Sequence, residues 1–184
     1  MKNKRLYADI SLFLVAMIWG GGFIAVKSAL NSMPPFQIIA MRFAISTILM
    51  VIVFWKRVKN INKQDIIAGG IIGVFVFAGF VFQTIGLKYT MPGKQAFLTA
   101  TYVVMVPFLS WIFIKKKPDI YSAIAALLAF VGIGLLTLQG KLIINIGDML
   151  TIVCAVFFAA QIIAIDFYTE KHSAIVLTHS RQES

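Results

Sequence analysis

The chain of 184 residues is 60% hydrophobic and only 13% charged, whereas a soluble domain is typically about 25% charged. This composition argues against a water-soluble globule. Six membrane spans of roughly 20 residues each would also leave too few residues for a folded domain outside the lipid bilayer. We attribute the formal net charge of +10 to orientation in the membrane, and expect no nucleic acid as a partner.

Apolar stretches follow one another along the whole chain, and each is long enough to cross a bilayer as a helix. They cover residues 10–29, 36–55, 66–87, 95–114, 119–138 and 147–167. The first follows a basic start like a signal peptide, but its apolar run is longer than usual and lacks a small-residue cleavage site. The sequence therefore predicts an all-α, polytopic membrane helix bundle with about six transmembrane helices.

Lys and Arg residues outside the spans concentrate before the first stretch and after the second, fourth and sixth. Cytoplasmic loops carry such an excess of positive charge. We therefore predict a multi-pass protein of the cell inner membrane, with the lipid bilayer as a partner and both termini cytoplasmic.

The sixth span resembles the first, which indicates an internal repeat. When residues 8–27 are laid on residues 147–166, Asp9 meets Asp148 and Ala16 meets Ala155. The two spans run in opposite directions, so a five-helix unit would restart upside down, as in many secondary transporters. We expect a truncated or divergent product, because the second unit is not completed. The predicted parts are a cytoplasmic N-terminus (1–9), a five-helix unit (10–138), a sixth span (139–167) and a short polar cytoplasmic tail (168–184).

Three segments carry a resemblance to a known family. They are WGGGF at 19–23, PPFQIIAMRF at 34–43 and GLKYTMPGKQAFLTATYVVMVPFLSW at 86–111. The chain resembles the EamA-type transporters of the drug/metabolite transporter superfamily, whose members usually have ten helices in two halves. The KKKP segment at 115–118 departs from the Gly-Glu pair that many members have there. The resemblance implies a substrate path between the halves. From the residues themselves we expect neither a cofactor nor an enzymatic activity.

Transporter sites tend to lie near the bilayer midplane, where an interrupted helix frees polar groups to face a cavity. The candidate substrate-pathway residues are Trp19, Gly20, Gly21, Gly22, Arg42, Gln83, Thr99, Tyr102 and Gln161. The glycines could instead serve helix packing, and Trp19 could pack in the core. Arg42 is costly at depth unless it is paired or hydrated. The neutral polar residues could equally form bonds between helices.

Other residues predict local features. Pro107 removes a backbone hydrogen bond and should kink the fourth span. Lys27 either reaches water at the membrane surface or contacts an anion. Gly69 and Gly73 have the spacing of a helix contact. The single cysteine, Cys154, cannot form an internal disulfide.

Catalytic and metal-binding roles have little support. The two histidines lie in the predicted tail, and no cluster of metal ligands appears in the sequence. The favoured function is a permease that moves small metabolites or drugs by alternating access. The alternative is a non-transporting membrane fragment or assembly partner that needs a second copy or a complementary half.

Overall fold

The computed structural model describes the backbone of residues 2–59, 61–115, 120–137 and 144–182. Side chains are described for residues 6–56, 58–59, 61–115, 120–122, 124–129, 131–132, 135 and 144–169. All regular elements in these ranges are helices. The predicted all-α architecture is thereby confirmed.

The described helices follow the predicted spans closely. They are α1 (Lys2–Ala29), α2 (Pro35–Val53), α3 (Trp55–Val58), α4 (Lys63–Tyr89), α5 (Pro92–Thr99), α6 (Tyr102–Ile114), α7 (Ile120–Thr137) and α8 (Ile146–Gln182). Within the described ranges, five segments are long and apolar enough to cross a membrane, with α5 and α6 together forming one of them. The shorter α7 corresponds to the remaining predicted span. Helix α8 extends past residue 167, so the predicted tail is helical through Gln182.

The fourth span is divided between α5 and α6. The backbone N–H groups of Thr101, Val103 and Val104 each donate to the carbonyl three residues earlier, at 3.0–3.2 Å. This tighter pattern interrupts the α-helical bonding between Thr99 and Tyr102. Pro107 lies inside α6, beyond the interruption, and the kink predicted at that residue stays a prediction.

The core centres on the contact between α4 and α8, the most extensive helix pair in the described structure. Small residues allow the close approach. A Cβ added at Gly147 would lie 2.6 Å from the Gly86 carbonyl oxygen, and one added at Gly79 would lie 2.5 Å from the Phe158 ring. Close backbone approach of this kind is typical of helix contacts in membranes.

The glycines predicted to make a helix contact lie elsewhere. Gly69 and Gly73 are exposed, and a Cβ at either position would meet nothing within 4 Å. The packing prediction for this pair is therefore wrong within the described structure. Spacing along one helix identifies small residues, but it does not reveal which face another helix covers. Helix α1 likewise exposes every side chain from residue 6 to residue 21.

Candidate functional site

A cavity of about 220 Å³ lies between α1, α2, α4 and α8. On α1 the lining begins near the middle of the apolar segment Leu6–Ala29, and on α4 it lies in the C-terminal part of the helix. The lining residues are Ile18, Trp19, Gly22, Phe23, Val26, Arg42, Phe80, Gln83, Thr84, Leu87 and Phe158. Most of these side chains are apolar, as in a typical small-molecule site.

Aromatic rings form one wall of the cavity. The Phe80 and Phe158 rings pack edge to face with centroids 5.4 Å apart, a preferred arrangement of aromatic pairs. Phe43 also packs edge to face with Phe80, with ring centroids 5.7 Å apart. The guanidinium carbon of Arg42 lies 4.6 Å from the Phe80 ring centroid. This contact stabilises the cation over a ring face and fixes the Arg42 head group beside the cavity.

Neutral polar groups from α4 and α5 lie next to the cavity. Gln83 Nε2 donates to Thr99 Oγ1 at 3.4 Å, and the Gln83 carbonyl oxygen accepts from Gln95 Nε2. Thr84 Oγ1 and Gln95 Oε1 are buried and have no hydrogen-bond partner among the described residues. An unpaired buried polar atom is unfavourable. Of these two atoms, only that of Thr84 belongs to a cavity-lining residue.

Lys27 joins α1 to the C-terminal end of α4. Its ammonium group donates to the carbonyl oxygens of Leu87 at 2.6 Å, Lys88 at 3.2 Å and Thr90 at 2.9 Å. The last carbonyls of a helix lack intrahelical partners and carry partial negative charge, so Lys27 caps α4. The sequence alternatives for Lys27, an anion contact or a hydrated head group, did not include this role.

A second polar cluster joins α5 to the start of α8. Asp148 accepts from Lys94 Nζ at 2.6 Å and from Thr90 Oγ1 at 2.9 Å. The backbone N–H of Asn145 donates to the Asp148 carboxylate at 3.0 Å, and the backbone N–H of Asp148 donates to the Asn145 side-chain oxygen at 2.9 Å. This is the pattern of a capping box. Asp148 is only 2% exposed. The buried Asp148 carboxylate thus accepts hydrogen bonds from Thr90, Lys94 and Asn145.

The structure brings together some of the predicted pathway residues. The cavity is lined by Trp19, Gly22, Arg42 and Gln83. Thr99 is not part of the lining, but it accepts a hydrogen bond from Gln83. Their part in a substrate pathway stays a prediction.

The remaining candidates lie outside the cavity lining. Gly20 and Gly21 are exposed with open space beside them. Tyr102 packs against Phe158 with centroids 6.3 Å apart. Gln161 is half-buried on α8.

Sequence reasoning missed Thr84, Phe80 and Phe158, as well as the ion pair between Lys94 and Asp148. A signal for Thr84 was present, because it follows Gln83 directly within an apolar span. Phe158 gave no such signal, since its position depends on the approach of α8 to Gly79. Within the described residues, no group of three His, Cys, Asp or Glu side chains could hold a metal ion.

Comparison with known proteins decides the family. The profile of the EamA-like transporter family matches residues 6–138, which includes all but one of the cavity-lining residues. The chain belongs to the EamA-like transporter family. This membership confirms the resemblance to the drug/metabolite transporter superfamily. The description of this family names it as a family of transporters.

Curated relatives of this EamA-like protein are also named as transporters. An uncharacterized transporter of Archaeoglobus fulgidus is 42% identical over 174 residues, which cover 95% of this chain and 54% of the relative. The uncharacterized transporter YrdR of Bacillus subtilis is 28% identical over 171 residues, covering 85% and 52%. The EamA-like chain spans about half the length of these relatives. No solved structure shows a significant match.

Proposed function

We propose that this chain forms the solute-binding half of a permease that moves small metabolites or drugs by alternating access. The observation that carries this proposal is the cavity of about 220 Å³ between α1, α2, α4 and α8. Two membrane-spanning helices contribute to its lining the charged side chain of Arg42 and Thr84, whose buried hydroxyl has no hydrogen-bond partner among the described residues. Ionisable groups at such positions are expensive in lipid and usually mark a substrate or ion path.

Polar contacts at one end of the bundle support alternating access. Val26 and Leu87 line the cavity, and the adjacent Lys27 bonds to the Leu87 carbonyl oxygen. The bond between Lys94 and Asp148 joins α5 to α8 nearby. We infer that these contacts close the cavity at the end of the bundle that the distribution of Lys and Arg predicts to face away from the cytoplasm. Rocking of the helices would break and reform them while the solute stays near the midplane.

The proposal includes a partner for this half. The relatives named as transporters are about twice the length of the region they share with this chain. A second copy or a complementary half would supply the facing wall of the path, in an inner membrane with both termini of this chain cytoplasmic. The alternative is a non-transporting membrane fragment or assembly partner that needs a second half or subunit.

Two neighbouring glycines provide a matched test. Gly22 lines the cavity and Gly20 does not, while both have open space where a side chain would extend. The purified full chain would be reconstituted in liposomes and tested for uptake of radiolabelled amino acids, nucleosides and aromatic acids. We expect Gly22→Trp to abolish uptake by filling the cavity and Gly20→Trp to retain it.

The result against the permease proposal is equally specific. Uptake by Gly22→Trp at the wild-type level, with equal amounts of protein reconstituted, would show that solutes do not pass through this cavity. Absence of uptake for every solute by the wild-type chain, including in liposomes with a high protein density, would favour the non-transporting alternative.

A further inference from the structure

We propose that the cavity binds a small organic anion, with one carboxylate attached to a flat apolar body such as an aromatic ring. This inference deepens the proposed function by naming the solute class of the same cavity, and it rests on that function for the step of transport. Binding can be measured without transport, so the two proposals can fail separately.

The charge of the cavity is the first argument. Among the described residues that line it, Arg42 alone has a charged side chain. Among the described residues, no carboxylate forms an ion pair with Arg42 and no acceptor forms a hydrogen bond with it. The other nearby charges are occupied, since Lys27 caps α4 and Asp148 pairs with Lys94. The cavity therefore retains an uncompensated positive charge, which an anionic solute would neutralise.

The geometry of Arg42 favours a carboxylate as the anion. The guanidinium carbon lies over the Phe80 ring, while the N–H donors of a guanidinium lie in its plane and point outward. Arginine can stack on a ring and still present a fork of donors that matches a carboxylate. A single arginine suits one carboxylate better than the several charges of a nucleotide.

In this proposal, rotation of the Thr84 side chain would turn its hydroxyl toward the solute as a second polar contact. Thr84 is 1% exposed and lines the cavity, and its buried Oγ1 atom has no hydrogen-bond partner in the part of the chain that the structure describes. A hydroxyl can donate to a carboxylate oxygen, and this bond would remove the unfavourable burial of an unpaired group. Thr84 and Arg42 thus come from different helices to the same cavity, one with a neutral donor and the other with a charged one.

Size and apolar walls define the rest of the solute. A cavity of about 150 Å³ is sufficient for benzene in a protein interior, so the observed volume of about 220 Å³ accommodates one ring and a carboxylate. Trp19, Phe80 and Phe158 provide aromatic surface for the ring, and offset or edge-to-face contacts between rings are favourable. The described lining includes no acidic side chain that would attract an amine.

Three probes with the same ring and different charges test this inference. Binding of benzoate, benzyl alcohol and benzylamine would be measured by calorimetry on the full chain in phosphatidylcholine nanodiscs. We expect benzoate to bind about tenfold to hundredfold more tightly than the other two, as expected for a charge-assisted hydrogen bond. Equal affinities, preference for benzylamine or lack of binding by all three would overturn the inference.

Variants assign the preference to the proposed groups. Arg42→Gln should remove the preference for benzoate and leave benzyl alcohol binding unchanged, whereas Thr84→Val should weaken benzoate binding about threefold to tenfold. Lys88→Gln removes an exposed cation outside the cavity and should change nothing. Retention of the full benzoate preference by Arg42→Gln would contradict the inference. The wild-type comparison remains decisive if a variant does not fold.

Two further outcomes separate the explanations. If phosphatidylglycerol in the nanodisc abolishes benzoate binding and remains bound to the purified protein, Arg42 binds a lipid phosphate and the inference is wrong. If benzoate binds as expected but is not taken up by proteoliposomes, the solute class is supported and the transport proposal fails. If other solutes are transported and benzoate does not bind, only the solute class is wrong.

Discussion

Lys94 Nζ lies 2.6 Å from Asp148 Oδ2, and this ion pair connects the first turn of α5 with the first turn of α8. The two side chains are 22% and 3% exposed. Asp148 lies at a favourable position, because a helix N-terminus carries partial positive charge. Lys94 lies at an unfavourable one and depends on the carboxylate for compensation.

Asp148→Asn should destabilise the protein, because it leaves the Lys94 ammonium without its counter-charge. We expect a loss of about 3 kcal/mol or less, since the Lys94 side chain is 22% exposed and removal of one partner from a fully buried pair costs about 3–5 kcal/mol. Unfolding in increasing concentrations of sodium dodecyl sulfate, followed by circular dichroism, would measure the effect.

Asp9→Asn is the matched control for this substitution. Asp9 aligns with Asp148 in the internal repeat, but its side chain is exposed on α1. We expect its unfolding midpoint to equal that of the wild type. Equal effects of the two substitutions would contradict the structural role of the ion pair.

Lys27→Met should weaken the attachment of α1 to α4. The ammonium group donates to three carbonyl oxygens at the end of α4, and a cation at a partly buried helix C-terminus contributes up to about 2 kcal/mol. Lys88→Met is the control, because Lys88 lies in the last turn of the same helix with an exposed side chain. The unfolding midpoints would be compared, and a larger decrease for Lys88→Met would disprove the assignment.

Gly86→Ala should disrupt the contact between α4 and α8. The added methyl group would lie 2.9 Å from the Gly147 carbonyl oxygen, so the backbones would have to separate, at a cost of about 1–3 kcal/mol for overpacking. Gly70→Ala adds the same group to the same helix where nothing lies within 4 Å. We expect this control to be neutral or slightly stabilising, and a similar loss in both proteins would be evidence against the close crossing.

The membrane spans could be predicted from sequence because their signal is local. A long apolar run must form a helix in lipid, whatever its neighbours are. The presence of Arg42 and Gln83 beside one cavity follows from a related argument, since polar groups at depth tend to face protein or water rather than lipid. Even so, Gly20 and Gly21 turned out to be exposed beside Gly22, which lines the cavity.

Contacts between distant helices could not be predicted in this way. Lys94 and Asp148 are 54 residues apart, and Lys27 and Leu87 are 60 apart. Each pair depends on the tilt and rotation of two helices, which apolar composition leaves undetermined. The wrong prediction for Gly69 and Gly73 has the same cause, because many small residues lie on α4 and only the position of α8 selects those that pack.

The predicted orientation can be tested with two exposed loop positions. Ser32 lies between α1 and α2, and Ile61 lies between α3 and α4. In a Cys154→Ser background, Ser32→Cys should react with a membrane-impermeant maleimide in intact cells, while Ile61→Cys should react only after permeabilisation. The reverse pattern would place both termini outside the cytoplasm.

Access to Gly22 tests the central claim most directly. In the Cys154→Ser background, Gly22→Cys would be exposed to a charged, membrane-impermeant methanethiosulfonate in right-side-out and inverted vesicles, with Gly20→Cys as the control. Our account predicts that Gly22→Cys reacts from both sides of the membrane and that Gly20→Cys reacts from neither. Reaction of Gly22→Cys from one side only, or from neither side, would contradict a solute cavity with alternating access.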